Sequence, residues 1–275
     1  MKHFSNEVAV IVGGSSGIGK ETALRFADRG AQIILIARGI ERLQEVVAEI
    51  RKRGGKAEAF SADVSNMEDV KKAVRRIEET YGRVDVLVYS AAIFYLSSVE
   101  ALDIRLAKQS MEINYWGAVH VTREILPLIR KGKRKSIVYV TSLSAQCTPP
   151  FFTAYAASKH ALRGFILSLR QELRPEGIHV GMVSPGPVNT PLIENDIHKN
   201  MYRLPPGVPV LKTQPVAEGI LSTVVKRRKE LVLPRRMTAA ARLASAFPSC
   251  VEWYYRLSVP GWDKLIRAQI KRPTV

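Results

Sequence analysis

Cysteine is scarce: Cys147 and Cys250 are the only two in 275 residues, they lie far apart, and neither stands at a metal-ligand or redox spacing. That excludes the disulfide framework of small secreted domains and predicts a reducing compartment. Long apolar runs are missing as well. No window reaches the ~18 uninterrupted apolar residues of a spanning helix, and MKHFSNEVAVIVGG enters a strand-like run without a basic-then-apolar leader. A cytoplasmic location is therefore expected, with neither secretion nor a membrane anchor. Acidic residues are few, 25 Asp plus Glu against 42 Lys plus Arg, so the chain carries +17. A charge of that size attracts phosphate-bearing cofactors, nucleic acid or anionic membranes. Nucleic acid is set aside, because no basic helix-turn-helix, zinc spacing or aromatic-basic platform occurs, and RKGKRK at 130–135 reads as a solvated helix end.

What remains is ordinary for a folded chain, with 46% hydrophobic and 24% charged residues at a length near the limit of a single core. Short β-branched runs recur at Val8–Val12, Ile33–Ala37, Val84–Val88, Ile137–Val140 and Ile178–Val183, with helical segments such as GIERLQEVVAEIRKR between them. Strands alternating with helices predict an α/β fold: a doubly wound parallel sheet covered on both faces. The Pro-rich stretch from Thr190 to Lys212 lacks either period and is expected to be a long loop near the site. A boundary is drawn after the strand-like ELVLP, giving a domain over 1–234 and a basic extension over 235–275.

The first strand runs directly into VGGSSGIGKETALRFADRG. Gly13, Gly17 and Gly19 permit the tight turn and the close backbone approach that a pyrophosphate at a helix N-terminus requires, with Ser15, Ser16 and Ile18 beside them. At the end of the second strand stands Arg38, with Arg42 a turn beyond and no acidic residue at the strand end. A guanidinium there can bond a ribose 2′-phosphate, which favours NADP(H) over NAD(H); a solvated, helix-capping Arg is the plainer alternative. Asp63 and Val64, after the third strand, are placed to meet an adenine, though Asp63 can equally be a turn residue.

Tyr155 and Lys159 are four apart and share a helical face that continues through Leu162, Ile166 and Leu169. A buried ammonium near a phenol is expected to lower the Tyr155 pKa by about one to three units. Ser142 closes the strand IVYVTS at the edge where ligands bind. Asn114 sits in a helix interior, where it can hold a relay water or serve structure alone.

Together Gly13, Gly17, Gly19, Asn114, Ser142, Tyr155 and Lys159 resemble the three-glycine turn, Asn, Ser and Tyr-x-x-x-Lys pattern of the short-chain dehydrogenase/reductase family, over roughly Glu7 to Pro234. The resemblance implies a Rossmann sheet of about seven strands. It also implies that Ser142 positions a carbonyl, Tyr155 donates the proton, Lys159 lowers its pKa and holds the ribose, and Asn114 orders a relay. Pro185, Gly186, Val188 and Thr190 then contact the nicotinamide, and dimers or tetramers are the usual assemblies. Two departures stand out: Val12 occupies the position of a Thr, and Tyr89-Ser90-Ala91-Ala92 stands where Asn-Asn-Ala-Gly is common, which weakens the cofactor contacts carried over to Ser90 and Ala91. LIARGIERL, FTAYAASKHALRGF and the basic tail are most similar to the membrane-associated lipid-, steroid- and retinoid-directed branch that includes ketosphinganine reductases. The rival reading is a cofactor-binding regulatory or scaffold protein without turnover.

Ser144, Gln146, Phe152 and Leu192 are the expected substrate lining, apolar in bias and suited to a hydrophobic ketone or alcohol. The stripe Ala118, Val121, Ile125 and Leu128 can serve core or a dimer interface. From Lys226 onward the chain has 12 Lys/Arg against 3 Asp/Glu, over half of its net charge. There Leu243, Phe247, Cys250 and Tyr254, then Trp262, Ile266 and Ile270, recur at helical spacing, with Pro248 as a break. These stripes either lie on an anionic membrane with Trp253 and Trp262 at the interface, or pack on the domain.

Overall fold

The structure is a computed structural model and describes residues 3–193, 207–258, 261 and 267. Seven strands form one sheet: β1 (Val8–Val12), β2 (Gln32–Ala37), β3 (Lys56–Ser61), β4 (Val86–Tyr89), β5 (Ser136–Val140), β6 (His179–Pro185) and β7 (Glu230–Leu233). The order is β3-β2-β1-β4-β5-β6-β7, and every pairing is parallel. Alternate residues of each strand feed separate cores. Val8, Val10 and Val12 join one, with α3 (Met67–Tyr81), α5 (Gly117–Lys131) and α6 (Thr153–Glu172). Ala9 and Ile11 join the other, with α1 (Gly17–Asp28), α2 (Ile40–Lys52) and α7 (Thr213–Val225). Burial on both faces is why the strands read as continuous apolar runs.

Order reverses between β1 and β4, and the crevice beyond the carboxyl ends of these strands is the ligand-binding position of an open α/β sheet. Ahead of α5 lies α4 (Ile104–Met111), joined to it by a single π-helical turn over Glu112–Trp116. Asn114 thus sits in a π turn, not in the regular helix interior its sequence suggested. The stripe Ala118, Val121, Ile125 and Leu128 is buried within the single chain and is core, so it is not an interface surface.

After β7 come α8 (Thr238–Ala246) and α9 (Ser249–Ser258), interrupted at Phe247–Pro248. Ala241 packs with Leu143, Val232 and Met237, while Leu243, Phe247, Cys250 and Tyr254 are exposed. The predicted stripe therefore lies on the outside of these helices and does not pack on the sheet. Trp262, Ile266 and Ile270 lie outside the described residues, as does 194–206 of the expected loop. The described flanks of that loop meet in a parallel bridge between Val188 and Leu211. Among the described residues no helix is long and apolar enough to cross a membrane.

Candidate active site

β1 passes into α1 through a turn in which Gly13 has φ +81° and Gly17 φ +53°, backbone that favours glycine. Space matters as much as dihedral. A Cβ on Gly13 would come within 2.6 Å of the Ala91 nitrogen, and one on Gly17 within 3.1 Å of Thr190 Cγ2. A Cβ on Gly19 would strike the Gly13 carbonyl. Ser16 caps α1 without a side-chain hydrogen bond, and the first turn holds no acidic residue, so its N–H groups and dipole are left for an anion. The cavity over this turn measures about 470 Å³, and its wall includes Ser15, Ser16, Ile18, Arg38, Arg42, Asp63, Val64, Ser90 and Ala91. A dinucleotide's pyrophosphate fits this cradle.

Two details qualify the sequence reading of this cavity. Glu41 also lines it, between the two arginines. Asp63 is in part the turn residue offered as its alternative, since its Oδ1 accepts from Ser65 N at 2.9 Å and Ser65 Oγ at 2.6 Å. Arg38 and Arg42 are exposed and take part in no ion pair among the described residues.

A second cavity of about 160 Å³ adjoins the first, sharing Ile18, Ser90, Ala92, Thr190 and Leu192 with it. Ser142, Tyr155 and Lys159 lie in its wall, brought together by the end of β5 and the first turns of α6. Ser142 caps a short 3-10 turn, its Oγ accepting from Ser144 N at 3.1 Å. Lys159 is 2% exposed, donates to the Val140 carbonyl at 3.3 Å, and holds its Nζ 5.7 Å from the centroid of the Tyr155 ring. Burial pushes the Tyr155 pKa up to about 12, opposed by a hydrogen bond with Ser142, and burial pulls Lys159 down to about 8. The net direction for Tyr155 is thus upward, not the lowering expected of the ammonium, because desolvation of the buried phenol outweighs what favours its charged form. A phenol held in its protonated form is a proton donor at neutral pH.

Asn114 is tied to both the loop after β4 and α6. Its Oδ1 accepts from Ile93 N at 2.8 Å, and its Nδ2 donates to Ile93 O at 3.0 Å and Ser158 Oγ at 2.9 Å. The amide brackets the loop after β4 to α6, because the π turn aims it at that backbone, which is the structural role left open for it beside the relay. Tyr89, the residue standing in for an Asn, donates to the Ile113 carbonyl of the same turn at 2.6 Å. Gly117 makes room for it: a Cβ there would lie 2.5 Å from Tyr89 Oη and 2.7 Å from Val64 Cγ2.

Of the remaining expected residues, Ser144, Phe152, Pro185, Gly186, Val188, Thr190 and Leu192 line the second cavity. Gln146 does not. It turns away and donates through Nε2 to Glu230 on β7; the side chain is only 6% exposed, and its Oε1 has no hydrogen-bond partner among the described residues. Sequence reasoning missed Phe94, Leu96, Cys147, Met237 and Tyr255, all in the cavity wall. Phe94 meets Tyr155 edge-on with ring centroids 4.8 Å apart. Met237 and Tyr255 come from the C-terminal extension.

The short chain dehydrogenase family model matches residues 7–200. The zebrafish (Danio rerio) protein named dehydrogenase/reductase SDR family member 7B is 34% identical over 241 residues, 84% of this chain and 78% of its own length. The 11-beta-hydroxysteroid dehydrogenase A of Sesamum indicum is 31% identical over 264 residues, 92% of this chain and 75% of its own. A solved actinorhodin polyketide ketoreductase with NADPH superposes with a TM-score of 0.77 at 27% identity, covering 83% of this chain and 95% of that one.

Proposed function

The chain belongs to the short-chain dehydrogenase family, and from that premise we propose that it is an NADP(H)-dependent oxidoreductase of a bulky hydrophobic ketone or secondary alcohol. The observation that carries the reading is the convergence of Ser142, Tyr155 and Lys159 in the wall of a mainly apolar cavity, next to a cradle built for pyrophosphate. The nicotinamide supplies or accepts the hydride at the substrate's carbonyl carbon.

The chain's own groups handle the oxygen and the proton. In the reducing direction the Ser142 hydroxyl bonds the carbonyl oxygen and fixes its orientation. Tyr155 gives its phenolic proton to that oxygen as the carbon is reduced, and the buried Lys159 ammonium stabilises the phenolate left behind. Phe94, Leu96, Phe152, Met237 and Tyr255 bind the apolar body of the substrate and exclude water. The high Tyr155 pKa supports reduction, since the proton is in place at neutral pH. Arg38 and Arg42 support the 2′-phosphorylated cofactor, in keeping with the NADPH held by the polyketide ketoreductase. Steroid-, retinoid-, sphingoid- or other lipid-like ketones are the substrates favoured, as the name of the sesame relative suggests for that protein.

The test is oxidation of NADPH, with NADH as control, against long-chain ketones, ketosphinganine, steroids and retinal. Turnover is expected to fall by about 10²–10⁴-fold in Tyr155→Phe, the usual worth of a positioned acid. Cofactor binding without turnover of any of these by either protein would favour a binding role instead.

A further inference from the structure

Helices α8 and α9 invert the ordinary partition of side chains. Leu243 is 52%, Phe247 62%, Trp253 67% and Leu257 64% exposed. Trp253 and Leu257 lie one turn apart on α9, and Tyr255, two residues from each and so about 200° around the helix, is buried in the cavity wall. In α8, Ala241 and Ala244 face inward, leaving Leu243 and Phe247 outside. Met237, immediately before α8, also lines the cavity. One helix pair is therefore a wall of the cavity on its inner side and bare apolar surface on its outer side. Clusters of large exposed apolar groups mark interaction surfaces.

Charge says which kind of surface. Arg235, Arg236, Arg242 and Arg256 are exposed around this patch, and Glu252 is the only acidic residue from 235 to 257. A symmetric contact with a second copy would set these arginines against themselves, whereas an anionic surface complements them.

We propose that the outer face of α8 and α9 docks on an anionic lipid surface. Leu243, Phe247, Trp253 and Leu257 enter the interface, and the flanking arginines meet headgroup phosphates. Because Met237 and Tyr255 belong to the same segment, docking sets the cavity beside the phase in which an apolar ketone dissolves. This last step rests on the reading of the cavity as a ketone site; the docking itself does not.

The experiment is co-sedimentation of the full chain with phosphatidylcholine vesicles containing about 30% phosphatidylglycerol, and with phosphatidylcholine alone, at low and high salt. Wild type is expected to pellet with the anionic vesicles. Trp253→Ser/Leu257→Ser should reduce that partition by about tenfold or more at every salt concentration, and Arg242→Gln/Arg256→Gln should reduce it mainly at low salt. Turnover of a small water-soluble ketone should be unchanged in the apolar double variant, while turnover of a long-chain ketone dissolved in the vesicles falls. Wild type left in the supernatant would overturn the proposal, as would undiminished binding by the apolar variant, which is mere adsorption of a basic chain. A change in molar mass by light scattering in that variant, without vesicle binding in wild type, would assign the patch to a second copy and overturn it too. Vesicle binding by a chain that reduces no ketone would leave the docking standing and sink the reductase reading.

Discussion

At the carboxyl edge of β5 and the start of α6, polar groups are buried: Asn114, Lys159 and Ser158 are at most 2% exposed, and Tyr155 is 7% exposed. Along the outer side of α8 and α9 the reverse holds, with Trp253 67% exposed and three aliphatic or aromatic neighbours more than half exposed. Both regions run against the partition that stabilises a fold, and they differ in what compensates. In the first, hydrogen bonds and packing hold each polar group in one place; in the second, nothing among the described residues covers the apolar groups. The first is the pattern of preorganised chemistry, which works without a partner. The second is the pattern of a surface that awaits one.

The largest effect that would sharpen this contrast is at Lys159. Its pKa, about 8 in the fold against an ordinary 10.5, means that the folded apoprotein carries the full cost of a buried ammonium below pH 8. Between pH 8 and 10.5 the unfolded chain binds more protons, so wild-type stability gains as pH rises through that window. Lys159→Met should abolish turnover yet stabilise the apoprotein at pH 7 by on the order of 3 kcal/mol, less the loss of the bond to Val140. The advantage should shrink towards pH 10.5 in chemical denaturation. A variant that is less stable at pH 7 would mean that the ammonium is better compensated than its surroundings indicate.

Next comes Arg38→Ala, expected to cut the preference for NADPH over NADH by about tenfold to a hundredfold in kcat/KM, the worth of a charge-assisted bond. An unchanged ratio would shift the recognition to Arg42. Tyr89→Phe removes the donor to the Ile113 carbonyl and should cost about 1–3 kcal/mol in urea denaturation, because a buried carbonyl is left without its partner. If Asn114 depends on that turn, turnover falls with it. The smallest effect belongs to the outer face: Trp253→Ser/Leu257→Ser should change global stability by less than about 0.5 kcal/mol per site. A loss of several kcal/mol would show that these side chains are structural and break the contrast.

Much of the fold was legible because its strands are buried on both faces and written in β-branched residues, with glycines where the first turn has no space. The Tyr155–Lys159 pair and its stripe Leu162, Ile166 and Leu169 were legible for the same reason: helical spacing is local. What escaped depends on distant parts of the chain. Gln146 reads as a pocket residue until Glu230, from β7, claims it. Asn114 reads as a helix-interior polar residue until the π turn aims it at Ile93. The depressed Lys159 and elevated Tyr155 follow from how deeply both are desolvated, which pairwise spacing does not contain. Tyr255 and Met237 reach the cavity from a segment that composition marked only as basic.

The contact between Tyr89 and Gly117 reaches beyond this chain. A hydroxyl where a shorter amide is common occupies the volume of a methyl group at 117, so the sizes of these two positions are linked. Among homologues, a tyrosine at the first position should be accompanied by glycine at the second, and side chains should return at 117 only where 89 is small. Covariation of the pair would mark the lineages that stabilise this turn from the strand, and would separate them from those that stabilise it by other means.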